Sequence, residues 1–110
     1  MATAEEFFAI DIRVGTVLQA EPFPDARKPS IKLLIDFGTE LGHKRSSAQL
    51  TTHYTPEQLV GRQVVAAVNL GSRRIASYVS EVLVLGAMPQ GTEVVLLALD
   101  QPVANGTRIG

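Results

Sequence analysis

The chain has no cysteine among its 110 residues, so it can form neither a disulfide nor a thiolate-bound metal site. That absence fits a reducing compartment. The N-terminus, Met1-Ala2-Thr3-Ala4-Glu5-Glu6-Phe7-Phe8, is acidic and has none of the positive charge or apolar stretch of a secretory signal, which predicts a cytoplasmic protein. The longest apolar runs, Val82 to Met88 and Val94 to Leu99, fall far short of the roughly 20 residues that span a bilayer. Membrane insertion is excluded on that ground. Histidine is scarce as well: His43 and His53 are the two in the chain, and neither has an acid at ligand spacing. No Gly-x-Ser-x-Gly, no phosphate-cradling glycine loop and no His-Glu-x-x-His helix occurs. The sequence therefore predicts no metal, no cofactor, no catalytic residue and no enzyme.

What is present is a core-forming composition, 45% hydrophobic and 19% charged, rich in Val, Leu, Ile and Ala. A length of 110 residues predicts one domain spanning 1–110. A chain of this size leaves broad apolar areas near its surface, which association with a second copy would cover. Net charge is −1 but unevenly spread. Lys44, Arg45, Arg62, Arg73 and Arg74 stand against Glu57 alone between positions 44 and 80, a local balance of +4, so one basic face is expected.

Thr3-Ala4-Glu5-Glu6 has the Thr-x-x-Glu form of a capping box and predicts a short helix from Ala4 to Ala9. From Ile10 the alternation of Ile12, Val14, Thr16 and Leu18 with their neighbours predicts a strand. Pro22, Pro24 and Pro29 then predict a stiff loop over Glu21 to Pro29. Ile31 to Phe37 and Lys44 to Leu50 are the next strands, joined by a turn at Glu40 to Gly42. Thr55-Pro56-Glu57-Gln58 is a second capping box, with proline at the first helical position. Three more strand-like runs follow, Gln63 to Leu70, Ser80 to Leu85 and Thr92 to Leu99, divided by Gly71 to Ser77 and Pro89-Gln90-Gly91. Asn105-Gly106 marks a turn in the tail. The order predicts an all-β, five-stranded OB barrel with a short N-terminal helix, a short helix between strands 3 and 4, and terminal extensions.

Arg73-Arg74 in the loop Gly71 to Ser77, with Tyr78 behind them, is the candidate binding cluster, because oligonucleotide-binding barrels combine guanidinium contacts to phosphate with aromatic stacking. A solvated loop with one packed aromatic is the alternative. Adjacent Phe7 and Phe8 cannot both lie on one narrow helical stripe, so one side chain is expected to reach beyond its own core. Either the rings dock on a second copy, together with tail residues such as Val103 and Ile109, or they cap their own barrel.

Phe7-Phe8-Ala9-Ile10-Asp11-Ile12-Arg13-Val14-Gly15, Asn69-Leu70, Arg73-Arg74-Ile75 and Ser80-Glu81 together resemble the tRNA-binding domains appended to methionyl-tRNA synthetases, an OB-fold family. Lys32 to Glu40, Arg73 to Ala76, Ser80 to Gly86 and Asn105-Gly106-Thr107 resemble, over nearly the whole chain, the small stand-alone CsaA group of that family. The resemblance implies a homodimeric cytoplasmic chaperone that binds unfolded or secretory polypeptides for the export machinery, with tRNA or structured RNA as the other ligand. It places Ser47, Asn69, Arg73, Arg74 and Ser80 on the recognition surface, to which Lys44, Arg45 and Tyr78 add charge and an aromatic ring. Ser80-Glu81-Val82-Leu83 stands where the tRNA binders have Ser-Glu-Gly-Met, and Ser77 where a glycine is usual. The branched replacements predict a continuous buried strand there.

Overall fold

The computed structural model describes residues 1–110. Its centre is one long strand, β1 (Ile12–Phe23), flanked by β2 (Ser30–Asp36) on one edge and β4 (Gln63–Ala67) on the other. β3 (His43–Ala48) lies outside β2 and β7 (Leu83–Val84) outside β4, giving the order β3-β2-β1-β4-β7 with every pairing antiparallel. This is the curled sheet of an OB-type barrel. The inward set, Val17, Ile31, Leu33, Ile35, Val64 and Ala66, alternates with outward residues and is sealed from water.

Two capping boxes formed as the spacing predicts. In α1 (Ala4–Phe8) the Thr3 hydroxyl accepts from the Glu6 amide at 3.1 Å, while the Glu6 carboxylate accepts from the Thr3 amide at 3.0 Å. In α3 (Pro56–Leu59) the Gln58 side chain accepts from the Thr55 amide at 2.9 Å. Leu59 on that turn is fully buried in the core cluster, which makes α3 the plug of one barrel end.

Several expectations are corrected. Pro22 lies inside β1 and not in a loop, because β1 beyond Val17 has β2 as its single neighbour and an open edge tolerates a missing amide. A bulge between Val17 and Gln19 turns β1 from one partner to the other. The expected turn at Glu40 to Gly42 is a helical turn, α2 (Gly38–Leu41), and its neighbour Phe37 is buried in the core. Residues 71–77 are not a plain loop: β5 (Arg73–Ile75) and β6 (Tyr78–Ser80) pair as a hairpin around Ala76-Ser77. Ala76 holds φ +52, the left-handed geometry such tight turns demand, without the glycine or asparagine that announces one.

The expected continuous strand from Ser80 to Leu85 is broken, and Leu83 is 52% exposed. Its two ends serve different partners. The Glu81 amide donates to the Arg45 carbonyl of β3 at 2.8 Å, while the Leu85 amide donates to Val65 of β4 at 2.8 Å. The bend at Val82 lets one segment close the barrel between them. Beyond it, Thr92 to Leu99 reduces to β9 (Val95–Leu96), paired with β8 (Gly86–Ala87).

The tail runs beside β1 on the edge that β2 leaves open. Val14 donates to Thr107 at 2.9 Å and Ile109 to Ile12 at 2.8 Å, and Gly106 donates back to Val14 at 2.8 Å. Arg13 reinforces the tie with a hydrogen bond to the Gly106 carbonyl, and Thr16 with one to the Asn105 side chain. No helix is long and apolar enough to cross a membrane.

Candidate ligand groove

The β5–β6 hairpin is anchored on β2–β3 by Tyr78. The Tyr78 hydroxyl lies 3.1 Å from the Leu33 carbonyl and 3.3 Å from that of Ser46, which face each other across β2 and β3. Its ring meets Phe23 edge-on at 5.5 Å between centroids, with Lys32 Nζ at 5.0 Å and Arg45 Cζ at 5.7 Å. Burial raises the Tyr78 phenol above its ordinary pKa, and the charges of Glu21 and Glu81 add to that against Arg45.

Next to this anchor the closing segment uses side chains in place of a ladder. The Arg45 amide donates to Glu81 Oε1 at 3.0 Å, and the Ser47 amide to the Ser80 hydroxyl at 3.2 Å. The Ser46 hydroxyl donates to the Val82 carbonyl at 3.0 Å. Burial pushes the Glu81 carboxyl up, but the Arg45 amide and guanidinium, helped by Lys44, outweigh it and hold the carboxyl below its ordinary range.

Between hairpin, β3 and the proline loop lies an open groove of about 550 Å³. The loop contributes Ala26, Arg27 and Lys28; β3 and its end contribute Ser47, Ala48 and Gln49. Arg73 and Ile75 come from β5, and Leu83 to Gly86, Met88 and Val94 form the apolar wall. Leu83 and Met88 are 52% and 54% exposed, and no carboxylate lines the groove. A polar recess of about 310 Å³ adjoins it through Lys28 and Gln49, lined further by Thr51, Thr52 and Thr92. The turn beside it is fastened by a hydrogen bond between the His53 and Glu93 side chains.

The sequence-selected residues divide. Ser47 and Arg73 line the groove, and Tyr78, Arg45 and Ser80 build its supporting edge. Arg74, on the alternate face of β5, points away from the groove, so the adjacent arginines act on different surfaces. Lys44 lies on the face of β3 opposite Arg45. Asn69 is far from the groove in role: its amide side chain accepts from Asp11 at 2.8 Å and donates to Ala9 at 2.9 Å, fastening the end of α1. Arg27 and Lys28 escaped the sequence reading. Their signal was a basic pair enclosed by prolines, in a loop that OB barrels place beside their ligand. Phe7 and Phe8, in edge-to-face contact at 5.2 Å, stand 44% and 51% exposed, with no residue of α1 buried. Val103 is exposed too, whereas Ile109 is half-buried and bonded to β1 through its amide. No three His, Cys, Asp or Glu side chains gather closely enough to hold a metal ion.

Residues 12–108 match the profile of a family described as "Putative tRNA binding domain". A solved structure of chaperone CsaA from Bacillus anthracis is 53% identical with TM-score 0.95, covering 100% of this chain and 99% of that one. A CsaA chaperone structure from Picrophilus torridus is 43% identical with TM-score 0.91, covering 100% of both chains. The methionine–tRNA ligase of Thermotoga maritima is 34% identical over 97% of this chain but only 16% of the ligase. This chain thus spans about one-sixth of that relative's length, and what the two have in common is a domain and not an enzyme.

Proposed function

The chain belongs to the tRNA-binding domain family, and from that premise we propose that it is a chaperone of the CsaA kind, working without catalysis in the cytoplasm. Residues 1–110 act as one unit that binds unfolded or secretory polypeptides and hands them to the export machinery. The observation that carries this reading is the groove: more than half its wall is apolar, yet Leu83 and Met88 remain open to solvent in the folded chain. Exposed apolar surface concentrated in a concave site is what an unfolded segment seeks. The full-length likeness to two CsaA chaperones supports the same reading.

The working form is a homodimer, joined through the unburied Phe7 and Phe8 and the exposed tail side chain Val103, with Ile109 holding the tail in place. A second reading, tRNA or structured RNA as ligand, is favoured by Arg27, Lys28 and Arg73 facing a groove without a carboxylate. Arg45, Ser47, Tyr78 and Ser80 keep that surface in shape, while Lys44, Arg74 and Asn69 lie outside it.

The test is titration of a labelled, permanently unfolded polypeptide against wild type and a Leu83→Ser, Met88→Ser double variant. Removing two half-exposed apolar contacts weakens binding by about 1–3 kcal/mol, or roughly 5- to 150-fold. Equal affinity in both proteins, or equal affinity for the folded form of the same polypeptide, overturns the reading.

A further inference from the structure

We propose that an RNA strand occupies this same groove, so that RNA and polypeptide exclude one another on each chain. The inference rests on the polypeptide reading above and concerns how that site is regulated.

Cations and apolar side chains are interleaved on the same short elements. Arg73 and Ile75 are two residues apart on β5 and face the groove together, as the period of a strand requires. Arg27 and Lys28 follow Ala26 directly in the proline loop that lines the same groove, together with Ser47 and Ala48 of β3. A phosphodiester chain that reaches these three cations lies over Ile75 and Leu83, and an apolar segment seated on Ile75 and Leu83 lies against the cations. The groove's roughly 550 Å³ is the size of a site for one ligand, not for two polymer strands side by side. The adjoining recess offers the polypeptide no alternative, because no hydrophobic residue lines it.

The two ligands respond differently to salt. Three groove cations give a single RNA strand a slope of about −2 in log affinity against log salt, so a fourfold rise in salt weakens RNA roughly twentyfold. Apolar contacts carry no such dependence. Ionic strength therefore tilts occupancy from RNA toward polypeptide.

The experiment uses the full chain, a labelled unfolded polypeptide and an unlabelled single-stranded RNA oligonucleotide, each first titrated alone. With RNA at about nine times its own dissociation constant, the apparent polypeptide constant rises about tenfold, and raising the salt fourfold removes most of that rise. Arg73→Gln lowers the RNA salt slope by about 0.7 and reduces the competition accordingly. RNA and polypeptide bound together at more than one ligand per chain in sedimentation, a displacement that stops at a plateau, or an RNA affinity indifferent to Arg73→Gln overturns the proposal while the polypeptide reading stands. Failure of the polypeptide to bind alone overturns that reading instead, and the first titration shows it before any RNA is added.

Discussion

Gly106→Ala is the sharpest test of how the tail is fastened. Gly106 has φ +90, and a Cβ there would lie 2.6 Å from the Phe37 carbonyl oxygen. The approach is mutual, since a Cβ on Gly38, at φ +89, would lie 2.7 Å from the Asn105 carbonyl oxygen. Both obstacles are backbone, and ordinary contact begins near 3.4 Å, so the two segments must part by about 0.8 Å. That movement stretches the 2.8 Å bond from Gly106 to Val14 and the 2.7 Å bond from Thr16 to Asn105 past useful length. Two hydrogen bonds at about 1 kcal/mol each, plus about 1 kcal/mol for a left-handed alanine, amount to about 3 kcal/mol. For a domain of this size the melting temperature then falls by roughly 12–24 °C. Urea unfolding measures the loss, and amide exchange at Gly106 and Ile109 should accelerate ahead of the β1–β2 ladder. Gly91→Ala is the control: φ is +80 but nothing lies within 4 Å of its added Cβ, so only the backbone strain of about 1 kcal/mol applies. A Gly106→Ala protein that melts no lower than the Gly91→Ala protein refutes the interlock.

Changing Phe7 and Phe8 to Ser converts the proposed dimer to monomer in sedimentation across a concentration series, since burial of each exposed ring against a partner is worth roughly 1.5–3 kcal/mol; a dimer that survives at low micromolar protein defeats that interface. Glu81 titrates below its ordinary range in the folded chain, so its contribution is complete above the unfolded value near pH 4.3 and disappears as pH falls through the folded value. Glu81→Gln is therefore less stable than wild type at pH 7, by no more than about 1 kcal/mol for so exposed a pair, and denaturation at low pH should show the gap closing. A gap that persists at pH 2 removes the carboxylate from barrel closure. Tyr78→Phe loses both carbonyl contacts and costs about 1 kcal/mol; nuclear magnetic resonance should show β5 amides exchanging faster, and unchanged exchange would mean the hydroxyl does not hold the hairpin.

The sequence made the local and periodic parts of this fold legible. Thr3 with Glu6 and Thr55 with Gln58 place helix starts through contacts three residues apart, and the alternation of Ile31, Leu33 and Ile35 marks a half-buried strand without reference to its partners. What escaped depends on neighbours distant in sequence. Pro22 looks like a loop residue until β1 is found to have one bare edge, and Val82 looks like mid-strand until its two sides are found to pair with different strands. The hairpin was hidden because alanine holds its left-handed corner. Of the residues singled out by resemblance and charge, Ser47 and Arg73 line the groove, whereas Asn69 ties a helix end, a role that composition alone does not distinguish from contact with a ligand.

The tail's place beside β1 also sets a schedule for folding. Arg13 bonds to a carbonyl 93 residues further along the chain, so during synthesis the edge of β1 at Ile12 to Val14 emerges from the ribosome well before residues 106–109, with which it pairs. Closing so long a loop is entropically unfavourable, which places tail docking late and makes the rate of reaching the native state sensitive to this contact. In the interval the nascent chain presents an unpaired strand edge, open to pairing with other chains.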